Sequence, residues 1–285
     1  MLLASIHYIA IIYNPSAGAG KAIALAERIA ALLREKGISF LLFTSGWPRN
    51  FSTFTAVWII GGDGTLNYFI NQYPAIQLPL AIFPGGTGND MHWLLYGEKT
   101  IEMQVDTCLS VVPKPVDAGI CNDRLFMNGV GIGFEGLVAQ SLAGKKKRPG
   151  KTSFLLAILK KIFFYRSREY SIVFAEYNRI QKQLMISVSN GKRAGGGFRI
   201  APAAAADDGL LDITLIDPLH PLWRIRYLPV IEKGKHLQLP FVHHFRTTSI
   251  CIVSDELISA HLDGEPYSHQ ELDIRILPGR FLFLW

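Results

Sequence analysis

The chain has 285 residues, 49% of them hydrophobic, enough to bury a large core and to form one large or two ordinary domains. Twenty-nine Lys and Arg against 23 Asp and Glu give +6, which favours an anionic partner weakly and names none. Cys108, Cys121 and Cys251 are far apart and in no ligand spacing, so a disulfide framework is excluded, and no stretch reaches the roughly 18 to 20 apolar residues of a membrane span.

The apolar start lacks a basic n-region and a small-residue cleavage site and reads as a first strand, not a signal. That strand covers residues 6–13 and ends in Asn14-Pro15-Ser16-Ala17-Gly18-Ala19-Gly20-Lys21. Helical spacing of Ile23, Leu25, Ala26, Ile29, Ala30 and Leu33 then predicts a helix up to Gly37. Such a loop can hold phosphates with backbone N–H groups and Lys21, although it lacks the Gly-Lys-Ser/Thr ending of a Walker A loop and the full G-x-G-x-x-G spacing. Strands are predicted at 38–43 and 56–60, joined by a short polar and aromatic linker.

The second strand-to-helix turn is Gly61-Gly62-Asp63-Gly64-Thr65. Its glycines are expected to take positive φ and let backbone N–H groups approach a ligand, with Thr65 capping the helix at 66–73. A glycine turn with one Asp suits a polyphosphate and its metal. A fourth strand at 78–83 leads into Pro84-Gly85-Gly86-Thr87-Gly88-Asn89-Asp90. Alternating strands and helices imply a parallel sheet with right-handed crossovers, which puts all three glycine turns on one edge.

Beyond Val116 the period changes to two, with strands predicted at 124–130, 170–177, 183–189, 211–216, 249–253 and 272–277, so the chain divides into 1–117 and a mostly antiparallel 118–285. The apolar helix predicted at 152–165, after the basic run 145–151, reads as packed on the sheet rather than lying on an anionic bilayer. A helix at 221–232 reads as structural. Adjacent His243 and His244 would point to opposite faces of a strand, His92 has no assignable role, and no nucleic-acid-binding motif accompanies the charge.

The ordered set Asn14-Pro15-x-x-Gly18, Gly61-Gly62-Asp63-Gly64-Thr65 and Pro84-Gly85-Gly86-Thr87-Gly88-Asn89-Asp90 resembles the diacylglycerol kinase catalytic family, which includes bacterial lipid kinases and sphingosine kinases. Later landmarks follow in the family's order: Asp117-Ala118-Gly119, the run 126–134, Ser189-Asn190-Gly191, the run 195–202, Asp208-Gly209-Leu210-Leu211-Asp212, Leu262-Asp263-Gly264-Glu265 and Leu277-Pro278-Gly279. Two features depart from the pattern. Residues 44–55 have little room for the usual helix, and Pro202-Ala203-Ala204 stands where the family has Pro-Asp-Ala, leaving Asp207 and Asp208 as that loop's carboxylates.

The resemblance implies an α/β domain with a parallel sheet of the NAD kinase and diacylglycerol kinase kind, a β-sandwich domain, and an active site in the cleft between them. It implies an ATP- and Mg²⁺-dependent lipid kinase, cytoplasmic or peripheral at the inner membrane face, with a lipid substrate and room for a homodimer. Asn14, Ser16, Gly18 and Lys21 would line the nucleotide, Gly61, Gly62, Gly64, Thr65, Gly85, Gly86 and Thr87 would hold phosphates, and Glu265 would reach the nucleotide. Asp63, Asp90 and Asp117 would orient Mg²⁺, and Asp208 would act as general base. Asp117 as a turn former, Asp263-Gly264-Glu265 as a plain hairpin turn, an NAD-kinase-like phosphotransferase and a non-catalytic regulator stay open.

Overall fold

The computed structural model describes residues 8–142 and 152–285; residues 6–7 of the first predicted strand and the basic run 145–151 lie outside the described residues. Two compact units form, one from residues up to Val116 together with Gly279–Trp285, the other from Asp117–Pro278. The expected division at 117 and 118 therefore misses that the last seven residues return to the first unit, where Phe283 pairs with Leu80 and the Leu284 N–H donates to the Leu80 carbonyl at 2.9 Å.

In the first unit, apolar β-branched runs give β1 (Tyr8–Tyr13), β2 (Ser39–Phe43), β3 (Ala56–Gly61) and β4 (Leu80–Pro84). They pair in parallel in the order β4-β3-β1-β2, so the turns after β1, β3 and β4 leave neighbouring strands at the same end. β3 is buried along its whole length, which explains its unbroken hydrophobic run. Helices α1 (Lys21–Glu35), α2 (Asp63–Gln72), α3 (Asp90–Tyr96) and α4 (Ile101–Ser110) complete the unit. The Thr100 hydroxyl caps α4 by accepting from the Met103 N–H at 3.3 Å.

The short linker 44–55 holds no helix and is pinned by aromatic contacts instead. Trp47 stacks on Tyr73 at 6.4 Å, Phe51 meets Tyr73 edge-on at 5.0 Å, Phe54 lies 4.7 Å from Tyr8, and the Tyr73 hydroxyl donates to the Pro48 carbonyl at 2.9 Å.

The chain enters the second unit along β5 (Lys114–Cys121), followed by β6 (Arg124–Phe126), β7 (Gly129–Gly133), α5 (Phe134–Leu142) and α6 (Thr152–Lys161). Then come β8 (Arg168–Phe174), β9 (Tyr177–Gln183), β10 (Met185–Ser189), β11 (Leu211–Ile216), α7 (Pro221–Glu232), β12 (Val242–Thr247), β13 (Ser249–Leu262) and β14 (Glu265–Phe283). Antiparallel pairing runs β12-β11-β10-β7-β13-β14, with β8 and β9 added on β13. Strand side chains such as Ile132, Ile172, Val188, Ile213, Ile252 and Ile274 fill one core. A second core gathers Val138 of α5, Ala157, Ile158 and Ile162 around α6, and Phe198. Helix 221–232 matches its predicted bounds, with Pro221 at its start and the His220 ring accepting from the Leu222 N–H.

Two buried histidines couple stability to pH. The His92 Nε2 donates to Gln104 Oε1 at 3.0 Å, while the Gln104 amide donates to the Ile82 carbonyl at 2.8 Å, so His92 is a packing residue. The His236 Nε2 donates to the Ile200 carbonyl at 3.0 Å. Burial lowers both imidazole pKa values below the ordinary range, because the charged form is desolvated. The unfolded chain then binds protons more readily, so this stability is complete above about pH 6.5 and is lost as pH falls toward the folded-state values. The urea midpoint is expected to drop between pH 7.5 and pH 5, and a His92→Gln, His236→Gln variant is expected to show a shallower dependence.

Candidate active site

The first turn wraps around its own backbone. Asn14 Oδ1 accepts the Ser16 N–H at 3.0 Å, the Ala17 N–H donates to the Asn14 carbonyl at 2.9 Å, and Gly18, Ala19 and Gly20 all have positive φ of 58°, 58° and 94°. Three successive left-handed residues tighten the chain into a short 3₁₀ turn, and α1 begins at Lys21 with Gly20 as an N-cap that supplies no side-chain bond. Asn14, Ser16 and Lys21 are exposed.

The second and third turns use glycine for another reason. Gly61, Gly62, Gly64, Gly85, Gly86 and Gly88 do not take positive φ, which corrects the expectation for the second turn. Gly62, Gly85 and Gly86 are small because backbones touch there, whereas Gly61 makes room for the Thr65 side chain. A Cβ on Gly86 would sit 2.3 Å from the Gly62 Cα, one on Gly62 would sit 2.5 Å from the Gly88 carbonyl oxygen, and one on Gly18 would sit 2.5 Å from the Gly85 carbonyl oxygen. The three turns are therefore interlocked, with the Gly85 N–H on the Gly61 carbonyl at 3.0 Å and the Asp63 N–H on the Gly88 carbonyl at 3.2 Å. Asn89 closes the third turn on itself, accepting from the Gly86 N–H at 3.0 Å and donating to the Gly86 carbonyl at 3.1 Å.

Thr65 does not cap α2. The helix begins at Asp63 with Gly62 as N-cap, so Thr65 lies inside the first turn, its N–H on the Gly62 carbonyl at 3.0 Å and its side chain packed on Gly61. Thr87 sits half-buried between Gly86 and Gly88. Asp63 is buried, and its two carboxylate oxygens accept the N–H groups of Asp90 and Met91, each at 3.0 Å. One side chain thus joins the second turn to the N-terminus of α3, where a negative charge suits the helix dipole.

Asp63 and Asp90 belong to the first unit, whereas Asp117 lies on β5 in the second. Among the described residues no group of three or more His, Cys, Asp or Glu could hold a metal ion by itself. Oxygen-seeking Mg²⁺ would draw phosphate and water oxygens into its shell, as Mg²⁺ sites commonly do.

In the second unit Asp117 is buried and accepts the Gly209 N–H at 2.7 Å, so it anchors the Asp208-Gly209 turn instead of capping one of its own. Gly209 has φ of +71°, and Asp208 Oδ1 accepts the Leu210 N–H at 3.1 Å while Oδ2 pairs with Arg246. Arg246 also approaches the fully buried Asp212 at 3.6 Å, and His244 Nε2 holds the other Asp212 oxygen at 2.8 Å. Asp263 has a positive φ of 49°, rare for a side chain with Cβ, and its carboxylate accepts the N–H groups of Met127, Asn128 and Gly129 at 2.8, 2.8 and 3.0 Å. Glu265 opens β14 and is exposed. The importance of Arg246 had no signal in the sequence, because only the β11–β12 pairing brings Arg246 opposite Asp212.

Comparison with known proteins bears on this arrangement. The diacylglycerol kinase catalytic domain model matches residues 8–121, and the YegS C-terminal NAD kinase beta sandwich-like domain model matches residues 128–284. The chain belongs to this lipid kinase family. It is 30% identical to a probable lipid kinase YegS-like from Shewanella frigidimarina over 79% of this chain and 74% of that protein. It is 26% identical to a diacylglycerol kinase of Mycobacterium tuberculosis over 88% of this chain and 86% of that protein. The crystal structure of a putative diacylglycerol kinase from Bacillus anthracis superposes with a TM-score of 0.80, 24% identity, and coverage of 99% and 98% of the two chains. The parallel first unit and antiparallel second unit agree with the fold that the resemblance implied.

Two measurements check this family site. Gly86→Ala is expected to lower stability by at least about 2 kcal/mol, since a methyl group has no space between touching backbones. Gly46→Ala, at φ +62° with nothing within 4 Å, is expected to cost only about 1 kcal/mol of left-handed strain, both read from urea midpoints. Asp63→Asn sets an NH₂ group against a backbone N–H at the start of α3 and is expected to cost about 1–3 kcal/mol, so its melting temperature falls whatever its activity.

Proposed function

We propose that the protein is a kinase that transfers the γ-phosphoryl group of ATP to a hydroxyl of diacylglycerol or a related long-chain lipid. The observation that carries this reading is the interlocked set of three glycine turns at one end of β1, β3 and β4. Helices α1 and α2 start from that set with glycine N-caps, which place no side chain between the helix ends and a ligand. Backbone donors at helix N-termini suit phosphate oxygens, and phosphoryl transfer depends on positioning and charge neutralisation more than on covalent chemistry.

In this reading Asn14, Ser16, Gly18 and Lys21 bind the nucleotide, and Gly61 to Thr65 with Gly85 to Thr87 form the phosphate floor. Asp63 keeps the second and third turns in register through its bonds to Asp90 and Met91. Mg²⁺, when bound, would neutralise phosphate charge with Asp90 and Asp117 among its outer partners. Asp208 aligns the lipid hydroxyl and accepts its proton as the phosphorus–oxygen bond forms, while Asp117 holds the turn and Arg246 holds the carboxylate. A second reading of the base rests on Asp263, whose left-handed backbone at φ 49° is the kind of strain that gathers at functional sites.

Radiolabelled ATP, offered with diacylglycerol, a sphingoid base and NAD in mixed micelles, tests the reading. Label is expected in a lipid and not in NAD. Label in NAD would make the protein a nucleotide phosphotransferase, and ATP binding without labelled product would make it a regulator. Asp208→Asn is expected to keep ATP affinity and lower kcat by at least about a hundredfold, the low end for losing a general base. An active Asp208→Asn beside a dead Asp263→Asn would transfer the role to Asp263.

A further inference from the structure

The face of β7, β10, β11 and β13 that turns away from the strand core is polar, and it is buried. Ser187, Ser189, Asp212, Thr214 and His261 lie on it, none more than 5% exposed, while the alternating Ile186, Val188, Ile213, Ala260 and Leu262 fill the core on the other side. Burying polar side chains costs free energy unless each is hydrogen-bonded or paired. The bond that His261 makes bears on the candidate site.

Leu262 pairs with Glu265, so Asp263 and Gly264 are the two central residues of a tight hairpin, with φ of 49° and 86°. Left-handed backbone at both positions is what a type I′ turn requires, and an Asp there carries strain that its surroundings must hold. Both central amides of the turn are bound. The Asp263 N–H donates to the Gly129 carbonyl at 3.0 Å, and the Gly264 N–H donates to Nδ1 of His261 at 3.1 Å. Accepting that bond requires a bare Nδ1, so the neutral ring carries its proton on Nε2. Nε2 stands 3.4 Å from Glu135 Oε1, and both side chains are buried. Glu135 comes from the first turn of α5 and meets His261 over Gly131, where a Cβ would lie 2.4 Å from Nε2 and 2.5 Å from the Glu135 carboxyl carbon. The ring is therefore wedged, with Glu135 and the bare backbone of Gly131 against its protonated edge and the hairpin amide on the other.

We propose that His261 is a positioning residue for phosphoryl transfer, its Nδ1 holding the Asp263-Gly264-Glu265 hairpin in the backbone conformation that aims Asp263 and Glu265. The inference rests on the kinase reading, with Glu265 at the nucleotide and Asp263 as the alternative base. A turn whose Gly264 amide is released can relax toward the commoner negative φ at Asp263, and that rotation swings both carboxylates. The buried ring acts through the hairpin, not on the substrate.

Two substitutions separate the two edges of the ring. Asn carries an oxygen where His carries Nδ1, and Gln carries an amide nitrogen where His carries Nε2. His261→Asn therefore keeps an acceptor for Gly264 and loses the reach to Glu135, while His261→Gln does the reverse. Each keeps one contact, so the two melting temperatures are expected to lie within a few degrees of each other. Amide hydrogen exchange at Gly264, followed by NMR on the full chain, is expected to stay near the wild-type rate in His261→Asn and to quicken at least about threefold in His261→Gln. Transfer of labelled phosphate from ATP to diacylglycerol in mixed micelles is expected to keep kcat/KM within about threefold in His261→Asn and to lose about tenfold or more in His261→Gln, because small displacements at a reacting centre are that damaging. Equal transfer by the two variants, losses that track melting temperature alone, or unchanged Gly264 exchange in His261→Gln would overturn the proposal. A wild type that labels no lipid defeats the kinase reading instead, and Gly264 exchange then still decides whether His261 holds the hairpin.

Discussion

Backbone touching backbone is the constraint on which the first unit depends. The turns after β1, β3 and β4 leave adjacent parallel strands about 5 Å apart, the ordinary strand spacing, so their chains meet unless side chains are absent. Gly62 against Gly86, and Gly18 against the Gly85 carbonyl, remove the side chains at the points of contact. Once the backbones are that close, their amides bond one another, and the Asp63 carboxylate can cross from α2 to the first turn of α3. The same closeness brings the starts of α1, α2 and α3 to one edge of the sheet.

The second unit handles its carboxylates differently. A buried charge is tolerated only when hydrogen-bonded or paired, and each carboxylate here finds its own solution. Asp117 takes a turn N–H, Asp263 takes three backbone N–H groups, and Asp212 sits between His244 and Arg246. The buried His261 and Glu135 stand 3.4 Å apart over Gly131, where a Cβ would collide with both. Asp208 differs from Asp117 and Asp212 in being exposed as well as paired.

The first unit exposes Asn14, Ser16 and Lys21 beside its turns, while the second exposes leucine and phenylalanine beside lysine and arginine around α6. Packing α6 through Ala157, Ile158 and Ile162 satisfies its expected role as a core helix, and 3.6-residue periodicity leaves the opposite side to the solvent. The sequence reading had set a core helix against a surface one, but a helix apolar all round can be both.

What the sequence alone determined was the order of parts. Unbroken apolar runs marked β1, β3 and β4, glycine and proline marked the turns, the change to period two marked the second unit, and Pro221 with Gly234 bounded α7. These are local signals, set by φ/ψ preference and burial pattern, and they survive in a linear string. The tertiary structure decided what each marked residue does. Whether Gly62 serves a turn or a contact depends on Gly86, twenty-four positions away; Thr65 lost its cap to Gly62; Asp117 became the anchor of a loop ninety-two residues on. The return of Gly279–Trp285 to the first unit depends on pairing with Leu80, and Arg246 acquired its partners through the register of β11 and β12. Each of these is a distance between residues remote in sequence, and a distance of that kind is fixed by packing, not by composition or spacing.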